Sequence, residues 1–269
     1  MSFALVLGAT SGAGEAIARA LLVDPGLDLV ALHRGNHPAA AEALAEAARG
    51  AGRRLHARVG EAGTAESAEQ ALDALAPVVG PGGVRVVVHA LACASVGNLV
   101  RGGGLGAERI ERTFAAMAHS FVYWVEGLHR RGLLAADGAR ILGLTSPPGG
   151  ALIRRTGAIT AAKAALEIYV RHLAFELGPL GHRVNLISYG ATTSAALEHV
   201  LDGSTQARLD AAIRRMSPAG RRCTVEDVAR LVSFLAREEG AWFNGATIDY
   251  SGGEVQSLYD LVLYPEELP

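Results

Sequence analysis

The segment Gly8-Ala9-Thr10-Ser11-Gly12-Ala13-Gly14 follows an apolar run at residues 3–7 and precedes a stretch of helical periodicity at 14–22. Glycines let a backbone turn tightly and approach a pyrophosphate, which then sits against the amide groups at the start of a helix. Three spaced glycines also occur in ordinary strand-to-helix turns. Their position here, between a strand pattern and a helix pattern, favours a nucleotide cradle. Its predicted binding residues are Gly8, Thr10, Ser11, Gly12, Ala13 and Gly14.

The rest of the chain repeats this alternation of short apolar runs and longer helical patterns. The predicted strands are residues 3–7, 29–33, 55–59, 85–89, 139–145, 183–188 and 246–249. The predicted helices are residues 14–22, 38–51, 65–79, 108–133, 156–178, 195–216 and 224–236. Nearly continuous apolar strands separated by helices indicate a parallel sheet covered on both faces. The prediction is an α/β fold: a Rossmann-type, doubly wound parallel sheet of about seven strands in a single domain, residues 1–269.

The composition excludes several classes of protein. Of 269 residues, 50% are apolar and 19% are charged, which predicts a large core, and the net charge of −2 indicates no nucleic-acid or anionic-membrane partner. Cys93 and Cys223 lie far apart without a Cys/His cluster, which argues against a disulfide framework or a metal site. No apolar run approaches the ~20 residues that span a bilayer, and the N-terminus lacks the basic region of a signal peptide. We therefore expect a cytoplasmic protein.

The end of the predicted second strand, His33-Arg34-Gly35-Asn36, indicates which nucleotide is bound. An acidic residue at this position would bind the ribose hydroxyls of NAD, whereas the Arg34 guanidinium matches a phosphate group with two hydrogen bonds. The pattern favours NADPH over NADH, although a solvated surface arginine is the simpler alternative. Asp28 lies at the start of the strand, too early for the ribose role.

The choice of basic residues singles out one side chain. Of 25 basic residues, 24 are arginines and one is a lysine, Lys163, which lies among alanines in the helix predicted at 156–178. A compact ammonium whose pKa responds to its surroundings cannot be replaced by a planar, permanently charged guanidinium. The use of lysine at this one position favours a functional role over a lysine that lies on the helix surface by chance.

The glycine motif resembles that of the short-chain dehydrogenase/reductase family, and the similarity extends along nearly the whole chain. A narrower resemblance to bacterial enoyl-acyl-carrier-protein reductases rests on Val88-His89-Ala90-Leu91-Ala92, Lys163-Ala164-Ala165-Leu166-Glu167, Arg183-Val184-Asn185-Leu186-Ile187-Ser188, Ser217-Pro218-Ala219-Gly220-Arg221, Val225-Glu226-Asp227-Val228-Ala229 and Gly252-Gly253. The resemblance implies a nicotinamide cofactor, an assembly of two or four copies and a substrate lid at about 191–220. It also implies that Lys163 binds the nicotinamide ribose. Further cofactor contacts implied by the resemblance are Ala90, Gly190, Thr192 and Ser194.

Both tyrosines that the family uses are absent. Most members carry a tyrosine four residues before this lysine, where the chain has Ile159. Enoyl reductases carry it seven residues before, at Thr156, and their second tyrosine corresponds to Ser146, which also matches the serine of the usual family triad. An oxyanion formed by hydride delivery needs a donor about 3 Å away, and a hydroxyl is a poorer acid than a phenol. Three replacements stay open: Thr156, Ser146, or Tyr189 at the end of the sixth strand, where a packing role is the alternative.

These observations predict an NADPH-dependent reductase of an unsaturated acyl (enoyl) thioester, carried by an acyl carrier protein or otherwise thioester-linked. Its catalytic residues would be Lys163 with Ser146, Thr156 or Tyr189, and the missing tyrosines favour secondary metabolism over housekeeping fatty-acid synthesis. A ketoreductase that uses Ser146 is the alternative within the family. A nucleotide-binding pseudoenzyme, which scaffolds a complex or templates a non-redox step, is the alternative of another class.

Overall fold

The computed structural model describes residues 2–146, 154–192 and 203–254, and the described strands form one parallel sheet. Strands β1 to β7 span Ser2–Leu7, Leu27–His33, Leu55–Val59, Val84–His89, Arg140–Thr145, Arg183–Tyr189 and Thr247–Tyr250. Their order across the sheet is β3-β2-β1-β4-β5-β6-β7. The chain crosses the sheet in both directions from β1, so the predicted single-domain, doubly wound sheet of seven strands is confirmed.

Helices cover both faces of this sheet. Helices α1 to α8 span Gly12–Leu21, Pro38–Gly50, Ala65–Val79, Ala107–Phe114, Ser120–Arg130, Gly157–Leu177, Gly203–Met216 and Val225–Leu235. Successive strand residues point to opposite faces, so Leu5 and Leu7 pack in the layer with α3, α5 and α6. Ala4 and Val6 pack in the layer with α1, α2 and α8. We call these the α6 layer and the α1 layer.

The helix predicted at 108–133 is divided in the structure. Helix α4 ends at Phe114, a π-helical turn spans Ala115–His119, and α5 begins at Ser120. The Ser120 hydroxyl donates to the Ala116 carbonyl oxygen at 2.9 Å, and such back-bonding to the preceding turn is a known cause of local helix distortion. The apolar periodicity continues through this turn, so the sequence pattern did not reveal it.

The apolar stripe of this divided helix faces the protomer's own core. Met117, Phe121, Trp124, Val125 and Leu128 are all buried in the α6 layer. The Trp124 indole nitrogen donates to the Ala62 carbonyl oxygen at 3.0 Å, which holds α5 against the loop before α3. Burial within one chain therefore accounts for these side chains.

Parallel strands place the candidate residues at one edge of the sheet. Gly8, Arg34, Ala90, Ser146 and Gly190 each directly follow the last residue of a strand. The carboxyl ends of parallel strands share one edge, so these five positions lie along it. Among the described residues no helix combines the length and apolar character needed to cross a bilayer.

Candidate functional site

The glycine segment is closely packed against the end of β4. Gly8 has a φ of +89°, and a Cβ there would lie 2.7 Å from the Ala90 carbonyl oxygen. A Cβ on Gly14 would overlap the Gly8 carbonyl oxygen. The Ala90 amide donates to the Leu7 carbonyl oxygen at 2.9 Å, which fixes the β4 loop beside the turn. Only glycine fits at positions 8 and 14, because backbone atoms occupy the space of a side chain.

Helix α1 presents its N-terminus to open space. Ser11 is the N-cap residue, but its side chain makes no capping hydrogen bond to the first turn. Gly12 has a φ of +53°, and no atom lies within 4 Å of a Cβ at that position. Ser11 and Gly12 are exposed, Ala13 is half-buried and Thr10 is buried. Amides without a side-chain cap, at the positive end of a helix, fit a phosphate group.

Arg34 lies across the same edge. Its guanidinium Nη1 is 3.9 Å from the Cys93 sulfur in the loop after β4. Strands β2 and β4 flank β1 in the sheet, so the arginine spans the carboxyl end of β1 beside the glycine segment. Asp28 instead pairs with Arg54 at the opposite end of β2, with Oδ2 2.6 Å from Nε, and is buried there. This agrees with the prediction that Asp28 takes no part in nucleotide binding.

Lys163 lies half-buried on α6, in the layer that covers β4, β5 and β6. Burial lowers the pKa of its ammonium to about 8. No ion pair of Lys163 occurs among residues 2–146, 154–192 and 203–254. A lysine in this state titrates near neutral pH and is able to give up a proton, which an arginine is not.

No sequence pattern indicated a role for His89. It is the last residue of β4 and is 2% exposed, with Nε2 2.7 Å from the Ser120 hydroxyl oxygen. Because Ser120 gives its hydrogen to the Ala116 carbonyl, His89 Nε2 is the donor in this pair. Burial, with a smaller contribution from the nearby charge of Lys163, lowers the pKa of His89 to about 4. A neutral imidazole therefore lies within electrostatic reach of Lys163.

The two candidate hydroxyls border a segment outside the described residues. Ser146 is exposed and directly follows β5. Thr156 is half-buried at the N-cap of α6, and its carbonyl oxygen accepts from the Thr160 amide at 2.9 Å. Residues 147–153 between them lie outside the described residues. Ser146 and Thr156 are candidates for the oxyanion donor because of their positions in the sequence relative to Lys163.

Tyr189 lies in the opposite layer from Lys163. Leu186 packs in the α6 layer and Ile187 in the α1 layer, so alternation turns Tyr189 towards the α1 layer, where it packs. Burial raises the pKa of its hydroxyl, and the neighbouring Cys223 raises it further. The structure does not bring this phenol together with Lys163, and its environment is that of a packing residue.

The segment after β6 is held by residues distant in sequence. The Ala191 amide donates to Glu254 Oε2 at 2.9 Å, and a side chain on Gly190 would overlap the same oxygen. Thr192 is buried and forms an isolated parallel bridge with Cys223. In the lid predicted at 191–220, residues 193–202, which include Ser194, lie outside the described residues. Helix α7 forms the second part of this lid. Sequence reasoning missed Glu254, for which no local pattern gave a signal.

Comparison with known proteins identifies the family to which this arrangement belongs. A family model described as Enoyl-(Acyl carrier protein) reductase matches residues 8–254. The 1-cyclohexenylcarbonyl-CoA reductase of Streptomyces collinus is 26% identical over 93% of this chain and 85% of that protein. A short chain dehydrogenase from Burkholderia cenocepacia J2315, in complex with NADP, is 26% identical with a TM-score of 0.81, covering 94% of this chain and 97% of that one. The angucycline C-6 ketoreductase LanV, with bound NADP, is 25% identical with a TM-score of 0.81, covering 95% and 96%.

Three curated relatives at 36–39% identity are matched only in part, because the chain spans 44–50% of their length. The family model, in contrast, extends from the first glycine of the cradle to Glu254, the residue that holds the segment after β6. The chain therefore belongs to the short-chain dehydrogenase/reductase family of oxidoreductases, in the group that the enoyl-(acyl carrier protein) reductase model describes.

Proposed function

We propose that the protein is an NADPH-dependent reductase of an enoyl thioester. The observation that carries this proposal is the combination, at one sheet edge, of an open helix N-terminus at Gly12 and a half-buried lysine at position 163, with no tyrosine at positions 156 and 159 of the α6 layer. The similarity to a CoA-linked enoyl reductase supports the substrate class.

The cofactor would lie along the carboxyl edge from Arg34 to Gly190. Its pyrophosphate fits the open amides of α1, and its 2′-phosphate fits the exposed guanidinium of Arg34. Ala90 would border the nicotinamide pocket, with Gly190, Thr192 and Ser194 near the carboxamide and Lys163 on the ribose. When bound, the NADPH cofactor supplies a hydride. Related proteins crystallised with NADP support this choice.

An enoyl thioester tolerates the loss of a phenol better than a ketone does. Hydride addition to the enoyl group forms an enolate, which is a weaker base than the alkoxide formed from a ketone. A hydroxyl hydrogen bond from Thr156 or Ser146 then stabilises the oxyanion, although removal of one good oxyanion donor costs on the order of 10²–10³ in rate. Because the lost donor lowers the rate, the same reasoning favours a role in specialised metabolism over a role in fatty-acid synthesis, where the flux is high.

The substrate would enter as a thioester, carried by an acyl carrier protein or by a smaller group. The lid at about 191–220 would cover it, and the assembly would contain two or four copies, as in the family that the chain resembles. The domain would extend over residues 1–269.

Reduction of a β-ketoacyl thioester is the second candidate. Ser146 directly follows β5 at the position of the family triad serine, and the similarity to a ketoreductase at 25% identity favours this alternative. A hydroxyl in this position hydrogen-bonds a ketone oxygen as readily as an enolate oxygen.

The test compares NADPH oxidation with a trans-2-enoyl thioester and with a β-ketoacyl thioester. We expect turnover with the enoyl substrate and a loss of at least about 100-fold in Lys163→Met. Arg171→Met is the matched control, because Arg171 is an exposed cation two turns further along α6 that pairs with Glu167 at 2.6 Å. Turnover confined to the keto substrate would contradict the proposal, and tight NADPH binding without turnover of either would favour the non-redox alternative.

A further inference from the structure

Enoyl reduction requires a proton as well as a hydride. The described α6 layer contains no tyrosine at either family position, since Ile159 packs against the core and Thr156 begins the helix. Tyr189, the phenol closest along the chain to the end of β6, packs in the α1 layer. Among the described residues of the α6 layer, the remaining candidate proton donors are hydroxyls, the imidazole of His89 and the ammonium of Lys163.

We propose that Lys163 is itself the proton donor of the reaction, and does not only assist a tyrosine. The inference rests on the proposed function. Hydride adds to the β carbon, the electron pair of the carbon–carbon double bond moves into an enolate, and an N–H bond of Lys163 breaks as the proton passes to the α carbon. The neutral amine then takes a proton from water, so that one hydride and one proton are consumed in each turnover.

The chemistry of the available groups selects the lysine. Serine and threonine hydroxyls are far weaker acids than an ammonium, and a hydroxyl that gives up its proton must regain it from another group. The His89 hydrogen on Nε2 is engaged by Ser120 at 2.7 Å, inside the protein. Lys163 is half-buried on α6, and among the 25 lysine and arginine residues it alone carries a proton that is able to leave near neutral pH.

The surroundings of Lys163 keep its charge uncompensated. Burial lowers its pKa to about 8, close to the pH at which a general acid works best. His89 of β4 lies within electrostatic reach of Lys163 and is neutral, because its own pKa is about 4. On α6 the nearest carboxylate along the helix, Glu167, pairs with Arg171 at 2.6 Å.

Within residues 2–146, 154–192 and 203–254, no carboxylate of the other elements packed on α6 forms an ion pair with Lys163, and the two carboxylates of α4, Glu108 and Glu111, are exposed. In the π-helical turn, His119 Nδ1 is 3.1 Å from the Tyr169 hydroxyl. In α4, Arg109 bonds the Val96 carbonyl oxygen at 3.1 Å and Arg112 bonds the Ser95 hydroxyl at 3.2 Å, so both arginines turn towards the preceding loop. Burial, and not a neighbouring charge, therefore determines the proton affinity of Lys163.

A single lysine allows a direct measurement on the unaltered protein. Protein grown with [15Nζ]lysine gives one lysine resonance, and its titration is expected to have a midpoint near 8 with NADP bound. The rate of enoyl reduction at saturating substrate is expected to fall tenfold for each pH unit above that midpoint, because the ammonium is lost. A rate that stays constant from pH 7 to pH 10 would overturn the proposal.

Lys163→Arg separates charge from proton donation. The arginine keeps a cation beside the ribose, so NADPH affinity is expected to change less than tenfold, while turnover falls by about 10²-fold or more because a guanidinium does not release its proton. Turnover within tenfold of wild type would overturn the proposal. If the wild-type enzyme reduces the enoyl thioester with a pH-independent rate, the proposed function stands and only the lysine donor fails. No reduction at any pH overturns both.

Discussion

The two halves of the carboxyl edge are built in different ways. The half formed by β1, β2 and β4 is made largely of backbone, with Gly8 and Gly14 fitted against carbonyl oxygens and an uncapped helix start at Gly12. The half formed by β5, β6 and α6 depends on side chains from separate segments, and its Lys163 lies within electrostatic reach of His89 at the end of β4. The first half follows its family pattern, and the second departs from it.

The two halves should therefore respond differently to substitution. A backbone cradle tolerates little change, since a side chain at Gly14 has no room, whereas a site made of side chains changes by single substitutions. The cradle keeps its geometry although positions 156 and 159 carry no tyrosine, so we expect nucleotide binding and proton donation to be separable. The following predictions test that separation, from the largest expected effect to the smallest.

Gly14→Val should abolish NADPH binding. The new side chain overlaps the Gly8 carbonyl oxygen, so the turn and α1 move apart and the phosphate cradle opens. Cofactor binding is measured by fluorescence titration and folding by circular dichroism. Gly50→Ala is the matched control, because no atom lies within 4 Å of a Cβ at this position in α2, and it should bind NADPH as wild type does. Wild-type affinity in Gly14→Val would show that the cradle does not bind the cofactor.

Arg34→Gln should reduce the preference for NADPH over NADH by about 10- to 100-fold. A charge-assisted hydrogen bond to phosphate is worth about 1.5–3 kcal/mol, and NADH lacks the 2′-phosphate, so its binding should change little. Dissociation constants for both cofactors measure this preference. Arg49→Gln, which changes an exposed arginine of α2, should leave it unaltered. An unchanged preference in Arg34→Gln would assign Arg34 to the solvated surface.

Asp28→Asn should lower stability without affecting cofactor preference. Burial alone would raise the pKa of Asp28, but hydrogen bonds and the charge of Arg54 outweigh it and hold the pKa below its ordinary value. A carboxylate with a lowered pKa stabilises the fold above the unfolded value of about 3.9, and this contribution is lost as the pH falls through the folded value. Urea unfolding at pH 7 should show a loss of about 1–3 kcal/mol that shrinks towards pH 3. A changed NADPH preference would place this acid in the cofactor site.

The sequence was informative where local rules decide the structure. Gly8, Gly14 and Arg34 each follow or open an element, so their positions at the carboxyl edge follow from the alternation of strands and helices. The same local rules indicated that Asp28 lies at the wrong end of β2, and its pairing with Arg54 agrees.

The catalytic half was harder to predict because its contacts are not local. His89 meets Ser120 across 31 residues, and Ala191 meets Glu254 across 63. The orientation of Tyr189 was hidden for another reason: β6 is buried on both faces, and the successive apolar residues Leu186 and Ile187 break any alternation that would show which face Tyr189 takes. The π-helical turn before α5 does not interrupt the apolar periodicity, so the sequence pattern could not predict it.

The most direct test of enoyl reduction follows the hydride itself. Reduction of a trans-2-enoyl thioester with NADPH deuterated at the transferring position of C4 is analysed by mass spectrometry and NMR of the product. Enoyl reduction predicts one deuterium at the β carbon of a saturated thioester, with the α-carbon proton coming from solvent. Deuterium found only on the carbinol carbon of a β-hydroxyacyl product, when a β-ketoacyl thioester is offered in the same mixture, would contradict it.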